Sequence, residues 1–205
     1  MAIFLAVAVF ERLRTVRALR RANQDLSQRI AERSQQSQVA DQRLLRRGQV
    51  IAELTSAQYL ETEPLERVIK RIAEGAAREI GVERTSIWRY NAERTQIVCE
   101  DLFELATGRH SGGAKATLAR ANYPSYFAAI DSKDIVAASD ARTDPRTVEF
   151  TESYLNPLGI GAMLDTPIML AGKVEGVVCL EHVGAVREWN AEDVIFAVAL
   201  SNVVA

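Results

Sequence analysis

The sequence predicts an α+β fold, with strands joined in hairpins and helices packed beside them, behind one long N-terminal helix. Three observations predict it. Ile160 to Val183 reads as two long strands around a short loop that contains glycine. Residues 11–60 carry apolar side chains at heptad spacing with no proline. Between these stretches, and again at the C-terminal end, segments of helical period alternate with segments of strand period.

The chain has 205 residues, 48% of them hydrophobic and 25% charged, which suits one globular domain with an extra element. Its net charge of -2 conceals an asymmetry. Residues 1–60 hold ten arginines and five acids, whereas residues 61–205 hold fifteen Lys and Arg and twenty-two acids. The basic part therefore reads as a separate element and the globular part as acidic. The arginines are spread along one helix, without a basic cluster interleaved with aromatics, which argues against nucleic-acid binding. Cys99 and Cys179 fall in strand-like stretches at no metal-type spacing. They read as two buried free thiols of a reducing compartment, the alternative being a redox-sensing pair.

The first ten residues form an apolar segment, Ala2 to Phe10, followed at once by Arg12, Arg14, Arg17, Arg20 and Arg21. About 20 apolar residues are needed to cross a bilayer, so this segment is too short to do so alone. Charge that follows the apolar stretch, with no small-residue cleavage site, is not a secretory signal. It is what the cytoplasmic end of a membrane helix looks like, because arginine collects on the inner side. The expectation is a start within a membrane-anchored parent, placing the rest in the cytoplasm at the inner face of the membrane. The alternative is a helix start that packs on its dimer mate.

Residues 11–60 read as a coiled coil. Val16, Asn23, Ile30, Ser37, Leu44 and Ile51 fall seven apart, and Leu19, Leu26, Arg33, Ala40, Arg47 and Leu54 fall seven apart between them. Asn23 in such a seam favours a parallel dimer in fixed register. The middle of the seam, at Arg33, Ser37, Ala40 and Arg47, is poor, which makes the coil marginal or leaves it a loose joint.

Residues 61–205 read as the globular domain. Pro64 is tolerated in the first turn of a helix whose stripe is Leu65, Val68, Ile69, Ile72, Ala73 and Ala76, closed by Ile80 and Gly81. Arg84 to Asn91 and Thr95 to Phe103 are strands about a turn. Residues 104–122, rich in Gly, Ala and Ser, read as a mobile loop with a short helical piece. A helix follows from Pro124 to Ile130, then a short strand from Asp134 to Ala138, a loop to Arg146, and a helical turn over Val148 to Leu155. Asn156 to Gly159 is turn chemistry. In the hairpin that follows, Ala171 to Lys173 is the loop. Met163, Asp165 and Pro167 share one face with Val177, Cys179 and Glu181, while the opposite face is apolar. Asn190 and Asp193 cap a terminal helix that is still apolar and periodic at Ala205, and is expected to continue into a longer parent.

Four stretches in this order, RTSIWRYN, YPSYFAAI with DIVAASDARTDPRTVEF, YLNPLGIGAMLDTPIMLAGKVEGVVCLEHVG and REWNAEDVIFAVA, carry a family likeness. From about Pro64 to Ala205 the chain resembles a GAF domain of bacterial signalling proteins, sensor histidine kinases and diguanylate cyclases among them. The resemblance implies an antiparallel sheet of five or six strands with the first and last helices on one face. It implies a ligand pocket on the other face, under residues 104–156. It also implies homodimerisation through the flanking helices and a kinase or cyclase output domain after the last helix.

Relatives that hold a bilin attach it to a cysteine in the region that here reads DPRTVEFTESYLN, which has none, so no covalent bilin is expected. Of the residue set of cyclic-nucleotide binders only the helix-cap end is matched, by Trp189 with Glu192 and Asp193, and the cysteines do not fit the pocket loops of methionine sulfoxide reductases. His110 and His182 lack partners at metal spacing, so neither haem nor a metal is expected. What remains is a small-molecule pocket whose candidate lining is Cys99, Tyr123, Tyr126, Phe127, Asp140, Tyr154, Met163, Asp165, Cys179 and Glu181. A strand-borne acid that faces inward needs a partner or stays neutral, and Arg89, Arg142 and Arg146 are the candidate partners. The function expected is a sensory module without catalysis of its own. The alternatives are a ligand-free dimerisation spacer, whose pocket is filled by its own side chains, and a thiol redox sensor.

Overall fold

In a computed structural model of the chain, residues 2–56, 63–113 and 116–205 are described, without the side chains of residues 2–13, 15, 16, 18 and 22. The expectation for the apolar segment of residues 1–10 and the boundary expected between residues 60 and 61 lie outside what is described. Among the described residues no helix is long and apolar enough to cross a membrane.

The chain forms two units, Met1–Arg46 and Arg47–Ala205. The first consists of the greater part of helix α1 (Ala2–Leu54), which runs unbroken because strong helix formers dominate it and proline is absent. Asp25 and Arg29 pair one turn apart at 3.0 Å. Leu19, Leu26, Ile30 and Leu44, four positions of the predicted seam, are exposed in the single chain.

The second unit is built on an antiparallel sheet. Its helices are α2 (Leu65–Ile80), α3 (Pro124–Asp131) and α4 (Ala191–Val204), and its strands are β1 (Arg84–Tyr90), β2 (Gln96–Glu104), β3 (Arg109–Ser111), β4 (Thr117–Ala119), β5 (Val136–Ala138), β6 (Ile160–Leu170) and β7 (Lys173–Val183). Six strands lie in the order β3-β2-β1-β7-β6-β5, and β4 adds a seventh by pairing with β2. The count thus exceeds the five or six expected. The extra strands come from residues 104–122, which are not simply a loop: β3 pairs along residues 102–104 of β2 and β4 along residues 96–98. Three-residue edge strands held by backbone bonds need no side-chain alternation.

Alternation in the long hairpin splits the core in two. Leu164, Ile168, Val178 and Leu180 pack with Val68, Ile72 and Ala76 of α2 and with Phe196 and Leu200 of α4. Met163, Val177 and Cys179 pack on the other side with Tyr126, Phe127, Phe150 and Leu155. The hairpin closes in a two-residue turn, not three, with φ of 49° at Ala171 and 80° at Gly172. Positive φ at both centres matches the twist of the flanking strands. Asn156–Leu158, expected as a turn, forms a helical turn ended by Gly159 at φ 67°.

The last turns of α1 belong to this unit. Val50, Ile51 and Leu54 join the cluster under α2 and α4, so two positions of the predicted seam serve the domain core. Arg47, also predicted in the seam, reaches Asp193 Oδ1 at 2.6 Å. Asp193 sits at the start of α4, where its backbone N–H donates to the Asn190 side chain at 2.9 Å. At the other ends, Arg187 donates to the Ile80 and Gly81 carbonyls after α2, and Arg89 donates to the Val204 carbonyl of α4. These cations satisfy carbonyls that a helix end leaves free.

Candidate functional site

Two adjacent rows of side chains cross the sheet on the face away from α2 and α4. The register sets Val136, Asp165, Cys179, Ser86 and Leu102 in one row, from β5 to β2. The next row holds Ala138, Met163, Glu181, Arg84 and Glu104. The acids that the sequence places on one face are therefore one step apart on neighbouring strands.

Each acid has a tyrosine. Tyr126, carried in by α3, donates its hydroxyl to Asp165 Oδ2 at 2.7 Å and lies 3.6 Å from Cys179 Sγ. Tyr154, in the helical segment before β6, donates to Glu181 Oε1 at 2.7 Å. Glu181 has in addition a cation: Arg84 Nε donates to its Oε2 at 2.8 Å, and Arg84 Nη1 donates to Glu104 Oε1. Among the described residues no cation is bonded to Asp165, and the charge of Arg146 reaches it only from a distance. Asp165 is fully buried, and its Oδ1 has no hydrogen-bond partner among the described residues. Burial pushes the Asp165 carboxyl up to about 8, against the Tyr126 hydroxyl, which favours the charged form, while the negative charge of Glu181 adds to the rise. At neutral pH this carboxyl is therefore mostly protonated and is itself a donor.

The thiols follow the same physics. Burial, then Asp101 and Glu181, push Cys99 up to about 12, and burial, then Asp165 and Glu181, push Cys179 well above the ordinary thiol range. Neither is a ready nucleophile.

Aromatic rings close the face. Phe150 stands edge-on to Tyr126 with 4.9 Å between ring centres and stacks with Tyr123 at 4.4 Å. Tyr126 meets Phe127 edge-on at 6.1 Å. The cluster is thus filled by the domain's own side chains. A surface cleft of about 600 Å³ lies elsewhere, lined by Tyr90, Arg94, Asp131, Lys133, Lys173 and Glu175, and none of the ten predicted site residues lines it.

Of those ten, Tyr126, Phe127, Met163, Cys179 and Cys99 lie in one buried cluster, with Tyr154 packed against it, and the two acids sit among them. Tyr123 lies at its rim, its hydroxyl 3.4 Å from Ser153 Oγ. Asp140 does not join. Its carboxylate accepts from the Arg142 backbone at 3.2 Å and shapes the loop. The three arginines expected beside the acids are also elsewhere: Arg146 pairs with Asp144 at 2.6 Å, Arg89 lies 3.3 Å from Glu100, and the backbone of Arg142 serves Asp140. The cation at the site is Arg84, which sequence reasoning missed, as it missed Phe150. Alternation with the buried Trp88 on β1 would have placed Arg84 on this face. Among the described residues no group of three or more His, Cys, Asp or Glu is arranged to hold a metal ion.

The model of the GAF domain family matches residues 64–205. Solved structures of similar shape include the GAF domain from a phosphoenolpyruvate-protein phosphotransferase of Coxiella burnetii, at 14% identity, covering 78% of this chain and 91% of that one, with a TM-score of 0.62. The phycocyanobilin-bound GAF domain from a cyanobacterial phytochrome matches at 14% identity over 77% and 91%, with a TM-score of 0.63. A fragment of a methyl-accepting chemotaxis protein matches at 16% identity over 76% and 92%, with a TM-score of 0.56. Likeness at these identities is likeness of fold. No curated protein matches the chain.

Proposed function

This chain belongs to the GAF domain family, a sensory and regulatory fold of signalling proteins, and from that premise we propose that it is a sensory module which binds a small molecule on the Asp165–Glu181 face. One observation carries this reading: a buried, mostly neutral carboxyl whose Oδ1 has no hydrogen-bond partner among the described residues. An unpaired buried polar atom costs about 1–3 kcal/mol, which a ligand group at that oxygen recovers. The ligand class that fits pairs one hydrogen-bonding group, neutral or cationic, with a ring that replaces Tyr126 or Phe150 in the cluster. Entry requires that aromatic cap to move, so the structure is the closed member of two states. A covalent bilin is not proposed, since the segment before β6 has no cysteine and both thiols are buried in strands.

The signal is a population shift. A ligand that prefers one arrangement of the cap biases how the flanking helices pack. The last turns of α1 are tied to α4 by Arg47 and Asp193 and by Ile51 and Leu54 in the shared core. Exposed Leu19, Leu26, Ile30 and Leu44 support pairing of α1 with a second copy as a coiled coil. We place the module in the cytoplasm, upstream of an output domain of the kinase or cyclase class. A metabolite screen by thermal shift tests the binding claim: a hit must stabilise the wild type and fail to stabilise D165L, while equal stabilisation of both would move the site elsewhere.

A second reading rests on the same cluster. Tyr126, Tyr154 and Arg84 already serve the acids, and the rings leave the face filled. On that reading the domain is a dimerisation spacer and no ligand shifts either protein. A thiol sensor has less support, since both cysteines are buried.

A further inference from the structure

His110, on the short edge strand β3, faces a carboxylate with each ring nitrogen. Nδ1 lies 2.8 Å from Asp101 Oδ2 on β2, and Nε2 lies 3.2 Å from Glu74 Oε1 on α2. A neutral imidazole carries a single N–H and can donate to only one of the two. Its other nitrogen then turns a lone pair toward a carboxylate oxygen. The imidazolium, with two N–H groups, satisfies both. The ring stands against Phe103, its cross-strand partner, with 4.9 Å between ring centres, so both contacts come from one orientation.

The two carboxylates are unequal. Asp101 is buried, and burial pushes its carboxyl up against the pull of His110 and Lys70. Glu74 is partly exposed and has a second partner, Arg78, at 2.7 Å. A His110 that loses a proton therefore keeps Nδ1–H on Asp101 and releases Glu74, which water and Arg78 can serve. Among the described residues the other charges around the ring are Glu66, Lys70 and Arg78 from α2, Glu100 from β2 and Arg109 beside it on β3. A surface cleft of about 370 Å³, lined by Lys70, Asp101, His110 and Gly112 among others, gives protons access.

We propose that His110 is a proton-operated tie between the sheet edge and α2, closed when the ring carries two protons and open on the α2 side when it carries one. Closing the tie takes up a proton at Nε2 and opening it releases one. The helix it holds packs against α4 and the last turns of α1, the helices through which the domain is proposed to signal. The tie lies on the opposite side of the sheet from the Asp165 cluster and stands whether or not that cluster takes a ligand.

A double-mutant cycle over H110N and E74Q, read by urea unfolding, tests it. Asn keeps a donor near Asp101 and cannot span to Glu74. At about pH 5.5 the two positions are expected to couple by on the order of fivefold in the unfolding constant, the scale of a part-exposed charge-assisted bond. At about pH 8 the coupling should vanish. Equal coupling at both pH values, or none at either, overturns the proposal. Nitrogen NMR of the wild-type ring, assigned through its contact with Phe103, gives a test that needs no variant. On deprotonation of the ring Nε2 is expected to lose its proton while Nδ1 keeps one, and loss from Nδ1 instead overturns the proposal.

Discussion

Replacing Asp165 with Asn keeps the shape of the neutral carboxyl and removes its titration. In the folded chain the carboxyl sits at about 8, against an ordinary value of 3.8, because it is buried. Between those values the native state holds a proton that the unfolded chain releases. The sign follows: this group's contribution is fully present below about pH 4, falls as pH rises, and is flat again above about pH 8. One proton of difference is a slope of about 1.4 kcal/mol per pH unit, so the wild type should lose roughly 3 kcal/mol from this group between pH 5 and 7. The Asn variant should lose nothing from this position. Tyr126 can still donate, to the amide oxygen. Urea unfolding at steps from pH 5 to 8 reads the difference. The two proteins should converge in stability below about pH 4, and the lead of D165N should widen by roughly 3 kcal/mol between pH 5 and pH 7. Parallel stability curves would refute the reasoning, because they would mean that Asp165 is ionised in the fold or is open to water.

Arg84→Met should destabilise by about 3 kcal/mol, since it leaves Glu181 buried with only the Tyr154 hydroxyl, and R84M/E181Q should recover part of that loss in the same urea assay. At Gly176 a Cβ would lie 2.1 Å from the Trp88 carbonyl oxygen, so Gly176→Ala forces β1 and β7 apart. The expected cost is about 2–3 kcal/mol or more, whereas Gly48→Ala, a helical site with nothing within 4 Å, should gain about 0.5–1 kcal/mol, both read from thermal midpoints. Neither cysteine should react with iodoacetamide at pH 7 until the chain is unfolded, and rapid native labelling counted by mass would show that the thiols are open.

What was legible in the sequence was whatever repeats with a fixed period or closes with a distinctive residue. The alternation of β6 and β7 sorted Leu164, Val178 and Leu180 from Asp165, Cys179 and Glu181, and both sets lie on the sides it assigned. The Asn190–Asp193 cap and the Gly81 terminus came from local chemistry and stand as read. What was not legible depends on partners far along the chain. Arg84 and Glu181 are brought together only by the pairing of β1 with β7, so nearer arginines looked equally suitable. Strands β3 and β4 are too short to show a period. Ile51 and Leu54 satisfy the heptad and the domain core alike, because both uses ask for apolar side chains three or four residues apart. That the two acids share a face could be read; that Tyr126 and Tyr154 would come down on them could not, since both arrive from segments outside the sheet.

Native mass spectrometry of the wild type and D165L, purified side by side from bacterial cells, tests the central claim most directly. If the Asp165–Glu181 face is a binding site, the wild type should carry a reproducible extra mass on each protomer that D165L lacks, and that mass would begin to identify the ligand. Two bare proteins, neither shifted in melting temperature by any compound of the metabolite screen, would contradict the claim and leave the filled cluster as the core of a spacer.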